Sequence, residues 1–496
     1  MKRLKIFVPF VLMIMVLFAG CSNSSNTTAE AAKAVTATTA ALTAVVSPTS
    51  TIVVDPEFTD RDLDATYDDS TAVKVTLDGS NIQVTGDGAT ASNGVLTIIK
   101  EGTYVVTGNL TDGQIVVAAA DTDKVQIVLN GVTINCADNA PIYVKSANKV
   151  FVTLNKGTVN TLTDSSAYVQ TDENTVDAVI FSKADLTING EGTLNITTSF
   201  NHGIVSKDDL VITGGTYNIT SANDALNGKN SVKIKDGVIT ISSSAGKGIT
   251  SKNADDTTKG YVYICGGTIT IKNSTEGIEG TAIVVEGGNI DLTSSDDGFN
   301  GASASAAETD TGGKGGGAAM QNDANVYVSI SDGTIHVNAS GDGLDSNGSL
   351  YISGGTINVS GPTENMNGGL DYNGTADISG GTIIVAGSTG MAQAFSDTST
   401  QASLLYNLTS SCAAGTEIKL TDASGKTIAS FTPDKTYQSV VISTPELVQG
   451  STYTLTCGSQ TVEIPLTAMV TSNGQTGMGG PGQGGGPGQG GTKPQQ

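Results

Sequence analysis

The sequence predicts an all-β fold, a right-handed parallel β-helix with coils of about 22 residues and a C-terminal β cap, on three observations. One phrase recurs from residue 192 onward as GTLNIT, GGTYNIT, DGVITIS, GGTITIK, GGNIDLT, DGTIHVN, GGTINVS and GGTIIVA. Its turn glycines fall at Gly192, Gly215, Gly237, Gly267, Gly288, Gly333, Gly355 and Gly381, at intervals of 23, 22, 30, 21, 45, 22 and 26 residues. That period is about half of what a propeller blade needs. Inside each period apolar residues alternate strictly, as in Ile239/Ile241, Ile269/Ile271 and Ile335/Val337, which is the signature of half-buried strands. The composition agrees, with 62 Gly, no Trp and only 15% charged residues in 496.

Read in order, residues 1–20 form an export signal. Lys2, Arg3 and Lys5 precede an apolar stretch from Ile6 to Phe18, too short to span a bilayer, and Leu17-Phe18-Ala19-Gly20-Cys21 follows. This resembles a bacterial lipoprotein signal whose cleavage leaves Cys21 to be acylated; the alternative is an ordinary secretory signal. Residues 21–54 read as a Ser/Thr/Ala-rich tether. Residues 55–190 carry looser strand pairs such as VKVTLDG and KVFVTLNKGTV and supply the first coils. The repeats fill 191–390, three short strands per period, and the 45-residue interval is read as one coil with a Gly-rich insertion at 302–324. Residues 391–467 lose the period and form the cap, and 468–496 are a low-complexity Gly/Pro/Gln tail. The expected location is therefore the outer face of a cell membrane, held by lipid alone.

A net charge of −23 argues against nucleic-acid partners and favours cations, Ca²⁺ first. Cys136 and Cys265 read as packing residues, and Cys412 and Cys457 are close enough in character to pair in an oxidising exterior. No cysteine spacing supports zinc.

Aligning the third strand of each period (HGIVS, DALNG, KGITS, EGIEG, DGFNG, DGLDS, GGLDY) yields two polar columns. The first runs Asp177, His202, Asp224, Lys247, Glu276, Asp297, Asp342, Gly368. The second runs Ile180, Val205, Asn227, Thr250, Glu279, Asn300, Asp345, Asp371. Carboxylates stacked about 5 Å apart repel unless a cation lies between them, and Ca²⁺ takes six to eight oxygens. Turn carbonyls freed by the glycines are expected to complete its shell, while a solvated acidic edge is the plain alternative. Lys247 either pairs with Asp224 and Glu276 or serves as the base of a β-elimination, with Lys207, Lys229 and Lys252 near enough to compete. His202 reads as a turn residue and His336 as an outward strand residue. Tyr261, Tyr263, Tyr327 and Tyr351 face outward on the second strands and offer rings on which sugars can stack.

The N-terminal run TAVKVTLDGSNIQVTGDG through EGTYVVTGNLTDGQIVV, KVQIVLNGVTI and LNKGTVNTLTD resembles a clostridial family of cell-surface carbohydrate-binding β-helix proteins, related in fold to calcium-dependent polysaccharide lyases. The DGFNG, DGLDSNG and GGLDYNG turns and the ending FTPDKTYQSVVISTPELVQGSTYTLTCG carry it further, so that it covers about residues 55 to 465. The resemblance implies binding of cellulose and pectin-like polysaccharide, with Ca²⁺ held by Asp224, Asn227, Glu276, Glu279, Asp297, Asn300, Asp342, Asp345 and Asp371. Lys247 departs from an all-acidic column at its position.

Three functions follow as expectations: a calcium-dependent, non-catalytic polysaccharide binder acting as a monomer, a pectate lyase using Lys247, or a structural or adhesive surface protein. So anionic a body repels polygalacturonate, so calcium is expected to bridge turn acids to substrate carboxylates. No Arg follows Arg61 to assist a uronate, which disfavours elimination.

Overall fold

The computed structural model describes residues 50–243, 245–304 and 322–474. Cys21, the signal segment, nearly all of the tether, most of the 302–324 insertion and the tail from 475 lie outside the described residues. What is described is all-β apart from one helical turn, Asp60–Leu63.

The turn glycines and the alternating apolar residues do form strands, but their pairing differs from the expected β-helix of separate three-strand coils. Parallel pairing passes from Lys124–Cys136 through Lys149–Leu154, Asp185–Gly190, Asp209–Ile212 and Ser231–Ile234 to Tyr261–Asn273. It returns through Val238–Ser243, Thr216–Ser221, Thr193–Thr197 and Val159–Asp164 to Lys124–Cys136. The circuit is a closed parallel β-barrel of ten strands, with further strands outside it. The closure has a local cause. Lys124–Cys136 and Tyr261–Asn273 are each 13 residues long and belong to both runs. Gly131 (φ 76°) and Gly267 (φ 85°) redirect these strands without ending them, where the sequence suggested a turn between two strands. Ala282–Ser294, Tyr327–Ala339, Ser349–Ser360 and Ala376–Gly387 repeat this merging, giving two strands per period in place of three.

The 45-residue interval is one row carrying an insertion, since Asn289 is the direct partner of Thr334 and Ile290 of Ile335. Ile239, Ile269, Ile290, Ile335, Ile357 and Ile383 stand in unbroken register and are at most 1% exposed. They belong to one continuous apolar core. The short strands after the turns make a second sheet of twelve, all parallel except the Ala89–Ser92/Val95–Ile98 hairpin at its end. Tyr437–Ser443 pairs antiparallel with Ala376–Gly387 and ends the parallel run, which leaves no open edge there. A separate antiparallel sheet of four strands (418–465) packs its own apolar cluster. The four described cysteines are free; the Cys412 thiol points at the Cys457 carbonyl 3.6 Å away.

Residues 50–66, read from sequence as tether end and first coil, instead form a strap along the outer face of the large sheet. Ile52, Val54 and Phe58 pack on Tyr261, Tyr263 and Tyr327. Asp62 is buried at the far end, 2.8 Å from Lys149 and hydrogen-bonded by the Thr187 hydroxyl.

Candidate functional site

The outer face of the twelve-stranded sheet carries the second polar column in direct register. Phe181, Val205, Asn227, Thr250, Glu279, Asn300, Asp345 and Asp371 are successive Cα partners. Only its start differs from expectation. Phe181, not Ile180, aligns with Val205, because Ile180 pairs with Ile204 and points into the core.

The first column lies in the turns before these strands, and its backbone is already committed. Gly248 donates to the Glu276 carbonyl, Gly277 to Asp297, Gly298 to Asp342 and Gly343 to Gly368, at 2.9–3.1 Å. The turn carbonyls are thus rungs of the ladder and not freed by the glycines. The glycines answer a packing demand: a Cβ on Gly343 would sit 2.4 Å from the Gly369 carbonyl oxygen. Column side chains also cap the next turn. Asp224 accepts from the Lys247 amide (2.9 Å), Asp297 from the Asp342 amide (2.7 Å) and Asp342 from the Gly368 amide (2.5 Å).

Charge divides the columns into two halves. In the N-terminal half Asp224 and Glu279 have close partners, while Asp177 has one buried oxygen without a partner and Lys207 at 3.9 Å from the other. His202 Nδ1 is 3.3 Å from Asp224, and Asn227 donates to the same carboxylate. Glu279, 2% exposed, receives Lys247 at 3.1 Å, Lys252, and the Thr250 hydroxyl. Lys247 therefore pairs across to the second column, with Glu279. In the C-terminal half the acids face one another. Oxygens of Asp342, Asp345 and Asp371 lie within 4.8 Å of each other, and the polar side chain reaching them is Gln393, which donates to Asp371 at 3.1 Å. Burial, reinforced by the adjacent carboxylates, pushes Asp297 and Glu276 up to about 8 and Asp342 to about 7. The same causes hold Asp345 well above the carboxylate range, and burial raises Asp371. Glu276 Oε2 and Asn300 Oδ1 are buried with no hydrogen-bond partner. A carboxylate-rich cluster with orphaned oxygens is chemically suited to a hard cation.

The tyrosines fare differently. Tyr261, Tyr263 and Tyr327 are 6%, 4% and 0% exposed beneath the strap. The Tyr261 hydroxyl accepts from the Asp55 amide, and Tyr263 donates to Glu286 at 2.7 Å. No sugar reaches their rings while the strap is in place. Tyr351, one row beyond, stays partly exposed. The signal for the strap was present in the apolar spacing of Ile52, Val54 and Phe58. Sequence reasoning also missed a second acidic group, Asp185, Asp208 and Asp209, whose oxygens approach within 4.8 Å. Here Ser231 and Asn230 satisfy Asp209 and Asp208, and burial with the neighbouring acids pushes Asp185 to about 6.

A family model described as carbohydrate-binding domain-containing protein matches residues 92–365. A protein of that description from Acetivibrio thermocellus is 38% identical over 149 residues, 29% of this chain and 52% of the relative. The chain thus spans about half the length of the curated relative it matches. A solved structure described as a polysaccharide lyase-like protein from C. thermocellum, a gadolinium derivative, is 27% identical. It aligns with 62% of this chain and 97% of its own at a TM-score of 0.41. With more than half of its length matched by the family model, the chain belongs to the carbohydrate-binding domain-containing proteins.

Proposed function

We propose that this protein is a calcium-dependent, non-catalytic carbohydrate-binding lipoprotein of the cell surface, taking plant cell-wall polysaccharide such as cellulose and pectin. The observation that carries the calcium reading is the C-terminal half-column, in which burial raises five acids, four of them further through neighbouring carboxylates, while buried oxygens of Glu276 and Asn300 lack partners. Glu276, Asp297, Asn300, Asp342, Asp345 and Asp371 would hold the metal. Asp224, Asn227 and Glu279 are already satisfied by His202, by each other and by lysines. Bound calcium would neutralise the cluster and offer open coordination to sugar oxygens.

The absence of catalysis rests on Lys247. Its ammonium is committed to Glu279, and no arginine stands nearby to clamp a uronate. The lipid anchor at Cys21 rests on the lipobox alone. Changing Cys21 to Ala releases the protein from the membrane or leaves it unprocessed if the reading is right.

Pull-down on insoluble cellulose and on polygalacturonate gel, with calcium or chelator, tests the rest. Binding to both is expected, strengthened by calcium for polygalacturonate and weakened there by Asp342→Ala with Asp345→Ala. Absorbance of unsaturated products should stay flat. Calcium-dependent release of unsaturated oligogalacturonides that disappears with Lys247→Ala would replace this reading with a lyase; retention of no polysaccharide would leave a structural or adhesive role.

A further inference from the structure

On the same sheet face, beside the polar column, five lysines stand in a row. Lys145, Lys183, Lys207, Lys229 and Lys252 occupy equivalent positions at the C-terminal ends of five consecutive strands, the last four one residue beyond them. The register fixes this: Ser182 pairs with Val144 and with Ser206, Ser206 with Gly228, and Asn227 with Thr250, so the residues following them align. The backbone continues the ladder, with Lys183 donating to Val144, Lys207 to Ser182 and Lys229 to Ser206 at 2.7–3.0 Å. Neighbouring strands are about 4.8 Å apart. A fifth of the 25 basic residues in a chain of 48 acids is therefore drawn into one line. The line stops where the acidic cluster starts: its next positions hold Thr281, Ala302, Asn347 and Asn373.

Ammonium groups at this spacing repel unless anions separate them. The chain's own carboxylates meet that need only in part. Lys145 pairs with Asp172 at 2.9 Å and Lys252 with buried Glu279. Lys207 reaches Asp177 only at 3.9 Å, and Lys229 meets an Asp255 that is 78% exposed. Lys183 is exposed and makes no ion pair among the described residues. Exposed pairs of this kind are weak and give way readily to another anion. Between the lysines and the turns lie Val205 and Thr250, both buried, and half-buried Asn227.

We propose that this lysine row seats a linear polyuronate, whose one carboxylate per sugar ring meets Lys183, Lys207 and Lys229 in succession without calcium. This rests on the carbohydrate-binding reading and adds to it a second, calcium-independent surface for the acidic polymer. The polymer is favoured over other polyanions because its charges come singly, once per ring, along a stiff chain that can follow a straight ladder. The chain as a whole, at net −23, repels an anion not aligned with the row.

The test uses the full chain and polygalacturonate in chelator, at low and high salt. Lys183→Gln, Lys207→Gln and Lys229→Gln together should weaken binding about tenfold or more, and high salt should weaken the unaltered protein comparably. Binding to neutral cellulose and the melting temperature should be unchanged. A charge-matched control, Lys74→Gln, Lys156→Gln and Lys426→Gln, removes three lysines elsewhere and should bind as the unaltered protein does. Equal loss in both triple variants would reduce the effect to net charge and overturn the proposal. So would polygalacturonate binding that the row variant keeps, or equal affinity for a sulfated glycan or for DNA. Failure of the carbohydrate reading looks different: the unaltered protein would then retain neither cellulose nor polygalacturonate.

Discussion

Calcium and pH should act on stability in opposite directions through the same acids. In the metal-free chain Asp297 and Glu276 titrate near 8 and Asp342 near 7, because burial and facing carboxylates penalise their ionised forms. Unfolded, they titrate near 4. Between about pH 4 and pH 8 the folded state thus holds protons that the unfolded state has released, so stability falls as pH rises through that window and levels off above it. Each shift corresponds to about 4–6 kcal/mol. The three are not additive, since part of each comes from the others, but even one is a large fraction of a typical stability of about 5–15 kcal/mol. Acids with lowered values, such as Asp62 and Asp172, act only below about pH 4 and do not overlap.

Thermal melting in chelator from pH 5 to pH 8 should therefore show a fall of several degrees. Calcium bound to the ionised acids, as proposed, would add about 2.7 kcal/mol at a hundredfold excess over its Kd, and its effect should be larger at pH 8 than at pH 5. Asp342→Asn with Asp345→Asn should flatten the metal-free profile and blunt the calcium shift together. A metal-free melting temperature that stays level or rises over this range would refute the reasoning, as would a calcium shift that the double variant keeps.

Tyr263→Ala should leave cellulose retention intact and cost about 3–5 kcal/mol by denaturant unfolding, because the ring fills the contact beneath the strap and is not a sugar platform. Asp62→Asn leaves Lys149 buried beside a neutral group; about 3–5 kcal/mol is expected, with limited proteolysis cutting first in residues 50–66. Gly190→Ala should be far more damaging than Gly131→Ala. Both have positive φ, but a Cβ at Gly190 meets the Leu154 carbonyl at 2.3 Å, whereas Gly131 has open space and costs about 1 kcal/mol of backbone strain.

How far the sequence reaches depends on the range of the interaction that decides each feature. Alternation after each glycine is local, and it is enough to place Ile239 through Ile383 in one buried line. Whether a glycine ends a strand or bends it depends on the partner strand, so sequence alone breaks Lys124–Cys136 and Tyr261–Asn273 at their glycines and does not reveal the closed circuit of ten. The polar columns were legible because equal spacing from a recurring turn is itself a register. What no spacing could reveal was the fate of each oxygen, and the turn carbonyls proved to be rungs. The strap depended on contacts across some 200 residues, such as the Asp55 amide on the Tyr261 hydroxyl.

The lysine row shows where that boundary falls. Lys207, Lys229 and Lys252 were visible as separate candidates for a base, yet their identity as a series requires the pairing of Ser206 with Gly228 and of Asn227 with Thr250. Once aligned, they change the electrostatic argument drawn from composition. A net charge of −23 says that a polyuronate is repelled on average, but binding is decided by the local field along a few tens of ångströms. One sheet face presents a cationic half through Lys252 and an acidic half from Glu276 onward. A polyuronate lying across both would meet ammonium groups directly in the first and need calcium in the second. Chelation should then weaken polygalacturonate binding and leave a remainder that salt removes, whereas a single calcium-bridged site would leave no remainder at any salt concentration.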